Sequence, residues 1–391
     1  MPFLLEAAVW IFLLLLAPAV RGSVTLLNPL DFLALQSIRK SLRDMPGSHF
    51  FSTWDFTDDP CDSFSGVFCY NGRVVALSLG DLQAASPGLT GHLDASIGRL
   101  SALTELSLVP GHVYGTIPDT ISNLKTLSFL ALSRNYLSGH IPPSISFLHR
   151  LQTLDLSFNQ LYGPIPPFSI TNVILCHNRF TGKIPVFTSV ARLDLKNNNL
   201  SGKIHQLPTS LRYLSLSSNR LSGRIGRIIS KLTHLNYIDL SMNRFTGRIP
   251  STIFTFRISH LQLQRNAFGG RLFAPAHVSM ETVDVSHNEL KGTVPMGLAY
   301  VRNLYLNNNR LRGRLPRLFA EKMMSGGIRL LYLQHNYLTG IDMKRKAEIP
   351  MTCSLCIGYN CMPPPVRSQC PANSGNRVRR PKTQCSRLSM K

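Results

Sequence analysis

Four aspartates are the residues of this 391-residue sequence whose type and spacing come closest to catalytic chemistry. Each of them lies between two aliphatic residues. They deserve consideration because a pair of carboxylates can hydrolyse a glycosidic bond. These residues are Asp155, Asp194, Asp239 and Asp284. None of the four has a recognisable companion acid, and the sequence lacks the H-E-x-x-H, G-x-x-x-x-G-K and G-x-S-x-G motifs. We therefore predict no catalytic residue, no cofactor and no metal, and a polysaccharide-degrading enzyme is the least favoured alternative.

The cysteines offer a second kind of chemistry. Cys353 and Cys356 have the spacing of a redox or zinc-binding dithiol. However, an apolar run over residues 7–17, followed by small residues, is typical of a secretory signal peptide, here residues 1–22, with an uncleaved anchor as the alternative. Because secreted chains enter an oxidising compartment, disulfides are favoured. The cysteines expected to form them, with the pairing left open, are Cys61, Cys69, Cys356, Cys361, Cys370 and Cys385. Cys176 stands apart, and we expect a free, outward-facing thiol without a catalytic role.

The positive charge of the chain is unevenly distributed. Its 42 Lys and Arg against 20 Asp and Glu give a net charge of +22. Residues 1–171 carry a net charge of −3, residues 172–340 carry +17, and residues 341–391 carry +8. A basic half of this kind favours a polyanionic partner.

A repeated unit is the strongest pattern in the sequence, and it positions all of these residues. Its form is L-x-x-L-x-L-x-x-N-x-L-x-G-x-I-P, complete between Leu151 and Pro166. The asparagine recurs at 135, 159, 178, 198, 219, 243, 266, 288, 309 and 336, with Gly111 and Leu82 in its place in two earlier units. The glycine recurs four places later from Gly115 to Gly340, where we predict a positive φ.

These twelve units predict stacked coils. Leu154 and Leu156 alternate as on a strand with one buried side, and no single unit can bury that side alone. We therefore expect an α/β repeat solenoid, a right-handed horseshoe with one long parallel sheet. The asparagine amide is expected to satisfy backbone groups where the chain leaves each strand. The units of 23 and 24 residues have room for a short helical turn behind the sheet, whereas units of 19–21 residues leave room only for extended or 3₁₀-like segments.

Both ends of a solenoid need a lid. At the front, Asp31 is a plausible N-cap for an amphipathic helix, and a turn pinned by Cys61 and Cys69 leads into the first strand. We divide the chain into a signal peptide (1–22), an N-terminal cap (23–73), repeats (74–342), a cysteine-rich C-terminal cap (343–370) and a mobile basic tail (371–391) that Cys385 could tie down.

The front lid, the repeat and the cysteine-rich end together resemble the plant-type extracellular leucine-rich repeat family. The resemblance covers residues 31–370, although Phe64 stands where tryptophan is common. This family includes receptor kinase ectodomains, receptor-like proteins and polygalacturonase-inhibiting proteins. The resemblance implies a secreted recognition module of the apoplast or cell wall. We expect no transmembrane anchor, because no stretch after the signal peptide approaches the roughly 20 apolar residues of a membrane helix. Nucleic acid would fit the charge but not the secreted compartment.

The concave face of the sheet is the first candidate binding surface. Side chains beside the inner leucines point outward there, and aromatic and arginine residues are typical anchors of protein interfaces. The candidates are Phe129, Phe158, Arg192, Tyr213, Tyr237, His260, Tyr305 and Tyr332. They predict a protein or peptide ligand, against the alternative of a solvated sheet whose aromatics serve strand propensity.

A row of basic residues beside the sheet is the second candidate. The residue five places after the repeat asparagine is Lys183, Lys203, Arg224, Arg248 and Arg271 in five consecutive units, and then Arg314. A second row, one place after the asparagine, holds Arg179, Arg220, Arg244 and Arg310, and it also holds Asn199, which begins the single N-glycosylation sequon. Such rows suit a linear polyanion such as pectin and suggest an inhibitor of a polygalacturonase; a solvated loop edge is the alternative.

Overall fold

The computed structural model describes residues 26–80, 88–108, 110–342, 350–363, 370 and 379–386. The signal peptide expected over residues 1–22 lies outside these ranges, as does most of the basic tail expected over residues 371–391. Within the described ranges, no helix is long and apolar enough to cross a bilayer.

One long sheet runs through the whole described chain. Its first two strands pair antiparallel, and each later strand pairs parallel with the next, so that thirteen parallel strands follow the first. In spatial order the strands are β2 (Val67–Tyr70), β3 (Arg73–Leu79), β5 (Glu105–Leu108), β7 (Phe129–Ala131), β9 (Thr153–Asp155), β11 (Asn172–Ile174), β13 (Arg192–Asp194), β15 (Tyr213–Ser215), β17 (Tyr237–Asp239), β19 (His260–Gln262), β21 (Thr282–Asp284), β23 (Asn303–Tyr305), β25 (Leu330–Tyr332) and β27 (Ser354–Cys356).

Two shorter sheets form the flank beside the long sheet. The first contains β1 (Leu42–Asp44), β4 (Leu89–His92), β6 (His112–Thr116), β8 (Tyr136–Gly139), β10 (Gln160–Gly163) and β12 (Arg179–Phe180). The second contains β14 (Ser201–Lys203), β16 (Arg220–Arg224), β18 (Arg244–Gly247), β20 (Ala267–Arg271), β22 (Glu289–Gly292), β24 (Arg310–Leu315) and β26 (Tyr337–Ile341). The Ser201 N–H donates to Gly182 O at 2.8 Å, so that hydrogen bonds continue across the junction of the two sheets.

The helical segments are short. The α-helices are α1 (Pro29–Ser41), α2 (Pro60–Ser63), α3 (Gly226–Ile229), α4 (Arg317–Met324) and α5 (Lys382–Ser386). The 3₁₀ turns are Phe50–Thr53, Ala95–Arg99, Asp119–Asn123, Pro143–Phe147, Ser251–Thr255 and Met296–Tyr300. As expected from unit length, no helical turn is described between Asn159 and Asn219, where the units are shortest.

The repeat asparagines bind the preceding coil. Asn159 Oδ1 accepts from the Leu137 N–H at 2.9 Å, and Asn159 Nδ2 donates to Leu132 O at 2.9 Å. The same pair of bonds recurs from Asn178 to Asn336, so the predicted role of the asparagine is confirmed. The pattern continues at Asn360, which binds Leu338 N and Leu333 O. Residues within the segment interpreted as a C-terminal cap therefore form a thirteenth coil.

The repeat glycines adopt positive φ at ten positions. From Gly115 to Gly313 their φ lies between 81° and 88°, which L-residues with a side chain rarely adopt. The prediction was wrong for Gly340, which lies inside β26 and has no positive φ. The pairing register shifts between Gly313 and Arg314, and this irregularity accounts for the difference.

The N-terminal lid differs from expectation at Asp31. The side chain of Asn28, not Asp31, caps α1 by accepting from the Leu30 N–H at 2.9 Å. Asp31 is fully buried, where it binds the Arg73 guanidinium and the Val74 N–H. The expectation failed because a carboxylate one turn into the helix meets the first strand.

The C-terminal lid is built by residues that we expected to be mobile. Arg380 lies between two tyrosine rings, 4.0 Å from the Tyr337 centroid and 4.4 Å from the Tyr359 centroid. Its Nε donates to Asn336 O and its backbone N–H to Asn360 O. The Cys361–Cys385 disulfide fastens the same segment. Residues 379–386 are therefore packed against the last coils, and the mobile interpretation was wrong for this part of the tail.

Candidate binding surfaces

Strand pairing aligns the predicted concave residues in defined columns. Phe129, Arg192, Tyr213, Tyr237 and His260 share the first position of their strands. Tyr305 and Tyr332 share the third position, in register with the Asp284 column. Residues far apart in the sequence are thereby placed about 4.8 Å from their neighbours in adjacent coils.

Three of these residues form one central cluster. The Tyr213 and Tyr237 rings stack with centroids 4.4 Å apart and an interplanar angle of 6°. The Arg192 guanidinium carbon lies 4.1 Å from the Tyr213 centroid on the next strand, a cation–π contact. Burial, aided by the Asp194 carboxylate, raises the pKa of Tyr213, so this hydroxyl stays protonated and acts as a donor. The cluster presents a flat, half-buried platform with a cationic edge.

Acidic groups line the same cluster. Tyr213 Oη donates to Asp194 Oδ2 at 3.5 Å, and burial raises the pKa of Asp194. Burial also raises the pKa of Asp284 farther along the sheet. All four aspartates accept a hydrogen bond from the backbone N–H two residues later, which gives them a structural role. Among the described residues, no group of three or more His, Cys, Asp or Glu is placed to hold a metal ion.

The concave face also carries buried polar atoms without a partner. Within the described residues, five buried side-chain nitrogen or oxygen atoms have no hydrogen bond. Three belong to strands of the long sheet, and two belong to residues that follow a strand by two places. They are Arg192 Nε, Ser215 Oγ, Gln264 Oε1, Asn303 Oδ1 and Gln334 Oε1. Because buried polar groups in native proteins are nearly always paired, these atoms require water or a ligand.

The other predicted concave residues lie outside the cluster of Arg192, Tyr213 and Tyr237. The Tyr305 and Tyr332 rings meet edge to face at 5.2 Å, three strands beyond Tyr237. Phe129 and His260 are exposed at the two ends of the first column and make no ring contact among the described residues. The structure thus brings together Arg192, Tyr213 and Tyr237 but not the whole predicted set.

Phe158 lies on the rim of the sheet and not on a strand. It precedes the repeat asparagine, where φ is 54°, and its ring stacks on the His177 ring at 4.1 Å. The Arg134 guanidinium covers its other side at 4.5 Å.

The residue before the repeat asparagine has a φ between 52° and 58° in each of eleven coils. These residues form a turn column along the rim, which we did not predict: Arg134, Phe158, His177, Asn197, Ser218, Met242, Arg265, His287, Asn308, His335 and Tyr359. The fixed position before the asparagine was the signal that could have revealed it.

The basic row lies along the flank as a regular stack. Each aliphatic stem crosses the glycine of the next coil: a Cβ at Gly223 would come within 2.8 Å of Lys203 Cγ. One at Gly270 would come within 2.9 Å of Arg248 Cγ. The glycines therefore provide space for the stems as well as positive φ. Five exposed residues of the row have no ion pair among the described residues: Lys183, Lys203, Arg224, Arg248 and Arg271. At a spacing of about 5 Å, their repulsion in water is about 0.8 kcal/mol per adjacent pair.

Two arginines expected in these rows have their charge compensated. Arg314 forms an ion pair with Asp342, and its guanidinium also donates to Ile341 O at 3.2 Å. Arg310 pairs with Glu289 at 3.2 Å. Arg314 is compensated because the chain after β26 brings Asp342 back to the flank, and its predicted role in binding a polyanion stays a prediction. Asn199 is half-buried between the coils of Arg179 and Arg220, and its side chain makes no hydrogen bond within the described part.

The structure pairs all six cysteines expected in disulfides. The bonds are Cys61–Cys69, Cys356–Cys370 and Cys361–Cys385. Cys176 and Cys353 are free and buried. Cys176 is a free thiol, as expected, but its neighbours in the adjacent coils cover it to 4% exposure.

We predict that both free thiols resist alkylation in the native protein. Burial raises the pKa of Cys176 to about 12 and that of Cys353 to about 11, so little thiolate exists near neutral pH. Iodoacetamide at pH 8 should label neither residue before unfolding, and two residues per chain in denaturant without reductant. Rapid labelling of the native protein, or more than two reactive thiols in denaturant, would contradict this arrangement.

Family models match the two parts of the chain that carry the lid and the repeats. A leucine rich repeat N-terminal domain matches residues 28–70. Leucine rich repeats match residues 101–161, 210–232 and 234–256. Receptor-like protein 18 of Arabidopsis thaliana is 33% identical over 124 residues, which is 30% of this chain and 15% of that protein.

Solved structures share the architecture over a larger part of the chain. The plant peptide hormone receptor RGFR1, solved in complex with RGF2, has a TM-score of 0.62 at 28% identity and covers 73% of this chain and 48% of that one. A plant ice-binding protein has a TM-score of 0.52 at 26% identity and covers 83% of this chain and 99% of that one. The chain thus spans 15% of the curated relative and about half of the receptor.

Fold, repeats and lids together define a leucine-rich repeat solenoid. The matches to the N-terminal domain and repeat models, and the similarity to plant receptor-like proteins, are consistent with the plant-type extracellular leucine-rich repeat family that the sequence resembles.

Proposed function

We propose that this protein is a secreted recognition module of the apoplast or cell wall that binds a protein or peptide on its concave face. It acts by binding and not by catalysis. The stacked cluster on that face carries this proposal, and the buried polar atoms along the same face can pair with such a ligand. The stacked cluster of Arg192, Tyr213 and Tyr237 supplies the anchor.

An extended polypeptide suits the spacing of this face. Tyr237 and Tyr305 are three strands apart, roughly 14 Å at 4.8 Å per strand, a span of about four residues of extended chain. The backbone of a peptide supplies both donors and acceptors, which the unpaired Ser215 Oγ and Gln264 Oε1 can meet. The similarity to a peptide hormone receptor solved with RGF2 supports the same class of ligand.

Replacing Tyr213 and Tyr237 by alanine tests this function. Aromatic anchors at interface centres typically contribute about 2 kcal/mol or more each, so we expect the double variant to lose about a thousandfold in affinity. The measurement is quantitative capture of extracellular peptides and proteins from cell-wall extract on wild-type and variant protein. Tyr114→Ala with Tyr136→Ala is the matched control, because both tyrosines are exposed on the flank. Equal capture by the concave variant and the wild type would refute the proposal.

A second candidate function is binding of pectin through the basic flank, with inhibition of a secreted polygalacturonase. The observation that favours it is the run of unpaired basic side chains in five consecutive coils, whose mutual repulsion a linear polyanion would relieve.

A further inference from the structure

The basic flank contains a groove near its C-terminal end. One part, about 390 Å³, is lined by Arg248, Gly270, Arg271, Phe273, Lys291, Gly292 and Arg312. An adjoining part, about 340 Å³, shares Arg271, Phe273, Gly292 and Arg312 with the first. Arg271 and Phe273 therefore border both halves of one continuous depression, which no concave residue reaches.

Cationic groups converge on this groove from successive coils. The stems of Arg248 and Arg271 cross Gly270 and Gly292, so a Cβ at either glycine would come within about 3 Å of the stem. Lys291 is directly opposite Arg271 in the pairing of β20 with β22. Among the described residues, Arg248, Arg271 and Lys291 have no ion pair, and the nearby Glu289 is held by Arg310.

Phe273 gives the groove an apolar face. Its side chain is 55% exposed, although it follows the buried Leu272 in the sequence. An exposed phenylalanine surrounded by cations offers a flat ring for stacking, while the cations can bind an anionic group at its edge. A ligand that contacts both the Phe273 ring and the cations therefore has one flat apolar face and a negatively charged group at its edge.

We propose that this groove is a subsite for a single anionic sugar ring within an acidic polysaccharide. The proposal rests on the second candidate function and adds a defined position to it. The C–H face of the sugar packs on Phe273, and its carboxylate or sulfate accepts hydrogen bonds from Arg271 and Lys291. The basic row then continues along neighbouring coils with one charge per coil, about 4.8 Å apart, which resembles a polymer charged once per ring. Duplex DNA carries one charge per about 1.7 Å, a poor match to this spacing.

Calorimetric titration with short sugars tests the subsite. The probes are trigalacturonate, its neutral methyl ester and a sulfated trisaccharide, each titrated at two salt concentrations. Phe273→Ala should weaken binding of a charged trimer about fivefold or more without changing its salt dependence. Arg271→Gln should weaken binding and reduce the salt dependence by about one charge. Phe147→Ala is the matched control, because Phe147 is 62% exposed on a distant 3₁₀ turn and should leave all titrations unchanged.

The outcomes separate the subsite from the basic row. Binding of either charged trimer that depends on Phe273 supports the proposal, and the preferred trimer identifies carboxylate or sulfate. Unchanged affinity after Phe273→Ala overturns the subsite, even where long polygalacturonate still binds the row. The absence of both trimer and polymer binding overturns the subsite and the second candidate function together. Equal binding of the neutral ester, or equally tight Phe273-dependent binding of duplex DNA at the same salt, overturns the assignment to an anionic sugar.

Discussion

Replacing Asn288 by alanine should lower the free energy of unfolding by about 2–6 kcal/mol. Asn288 Oδ1 accepts from the Phe268 N–H at 3.0 Å, and Nδ2 donates to Leu263 O at 3.0 Å and Val285 O at 3.1 Å. Alanine leaves the buried Phe268 N–H without this partner, at a cost of about 1–3 kcal/mol. It also removes the bonds to Leu263 O, which keeps Asn266 Nδ2 at 3.2 Å, and to Val285 O, at about 0.5–1.5 kcal/mol each. The ladder of asparagines is thus the main polar link between coils.

Denaturant unfolding with amide hydrogen exchange measures this effect. Asn236→Ala is the control, because Asn236 is exposed and its side chain makes no hydrogen bond in the described part; we expect a change within about 0.5 kcal/mol. Since each coil contacts only its neighbours, exchange in Asn288→Ala should rise around β19–β23 and stay unchanged near β3. Equal stability of the two variants would show that the asparagine ladder is dispensable.

Reversing the charge of Arg224, Arg248 and Arg271 to glutamate should abolish retention on a polygalacturonate matrix. The three side chains lie in consecutive coils without an intramolecular ion pair, so each is available to a polyanion. Losing three contacts should reduce the slope of log affinity against log salt by about three and lower affinity at least about a hundredfold at low salt.

A second triple variant controls for net charge. Arg257, Arg302 and Arg329 are exposed and precede their strands, whereas the basic row follows the strands. Their reversal to glutamate changes the net charge by the same amount and should leave most of the retention. If both triple variants lose retention equally, binding reflects overall charge and the row has no special role; if neither does, pectin binding through the flank is wrong.

The spacing of the repeated residues was sufficient to predict the coils, because each repeated position has the same physical role in every unit. The inner leucines, the asparagine bonds and ten of the glycines follow from that rule. The thirteenth coil was not predicted because Pro364 stands four places after Asn360, where nearly all the other units have glycine, although Leu355, Ile357 and Asn360 keep the spacing of the unit.

Contacts between neighbouring coils could not be predicted from the sequence in the same way. The stack of Arg192, Tyr213 and Tyr237 depends on the side-chain conformations of residues in three different coils. The ion pair of Arg314 depends on the path of the chain after β26, which places Asp342 beside it. Phe158 was predicted on the concave face, but it occupies the fixed position before Asn159, where a positive φ moves it to the rim. Burial of Cys176 has the same origin, since adjacent coils cover it.

Hydroxyl-radical footprinting of the protein with its captured ligand tests concave recognition most directly. Our account predicts that Tyr213, Tyr237 and Tyr305 become protected from oxidation on ligand binding. Tyr114 and Tyr136, exposed on the flank, should react equally in the free and bound protein. Protection confined to the flank, with the concave tyrosines still reacting as in the free protein, would contradict it.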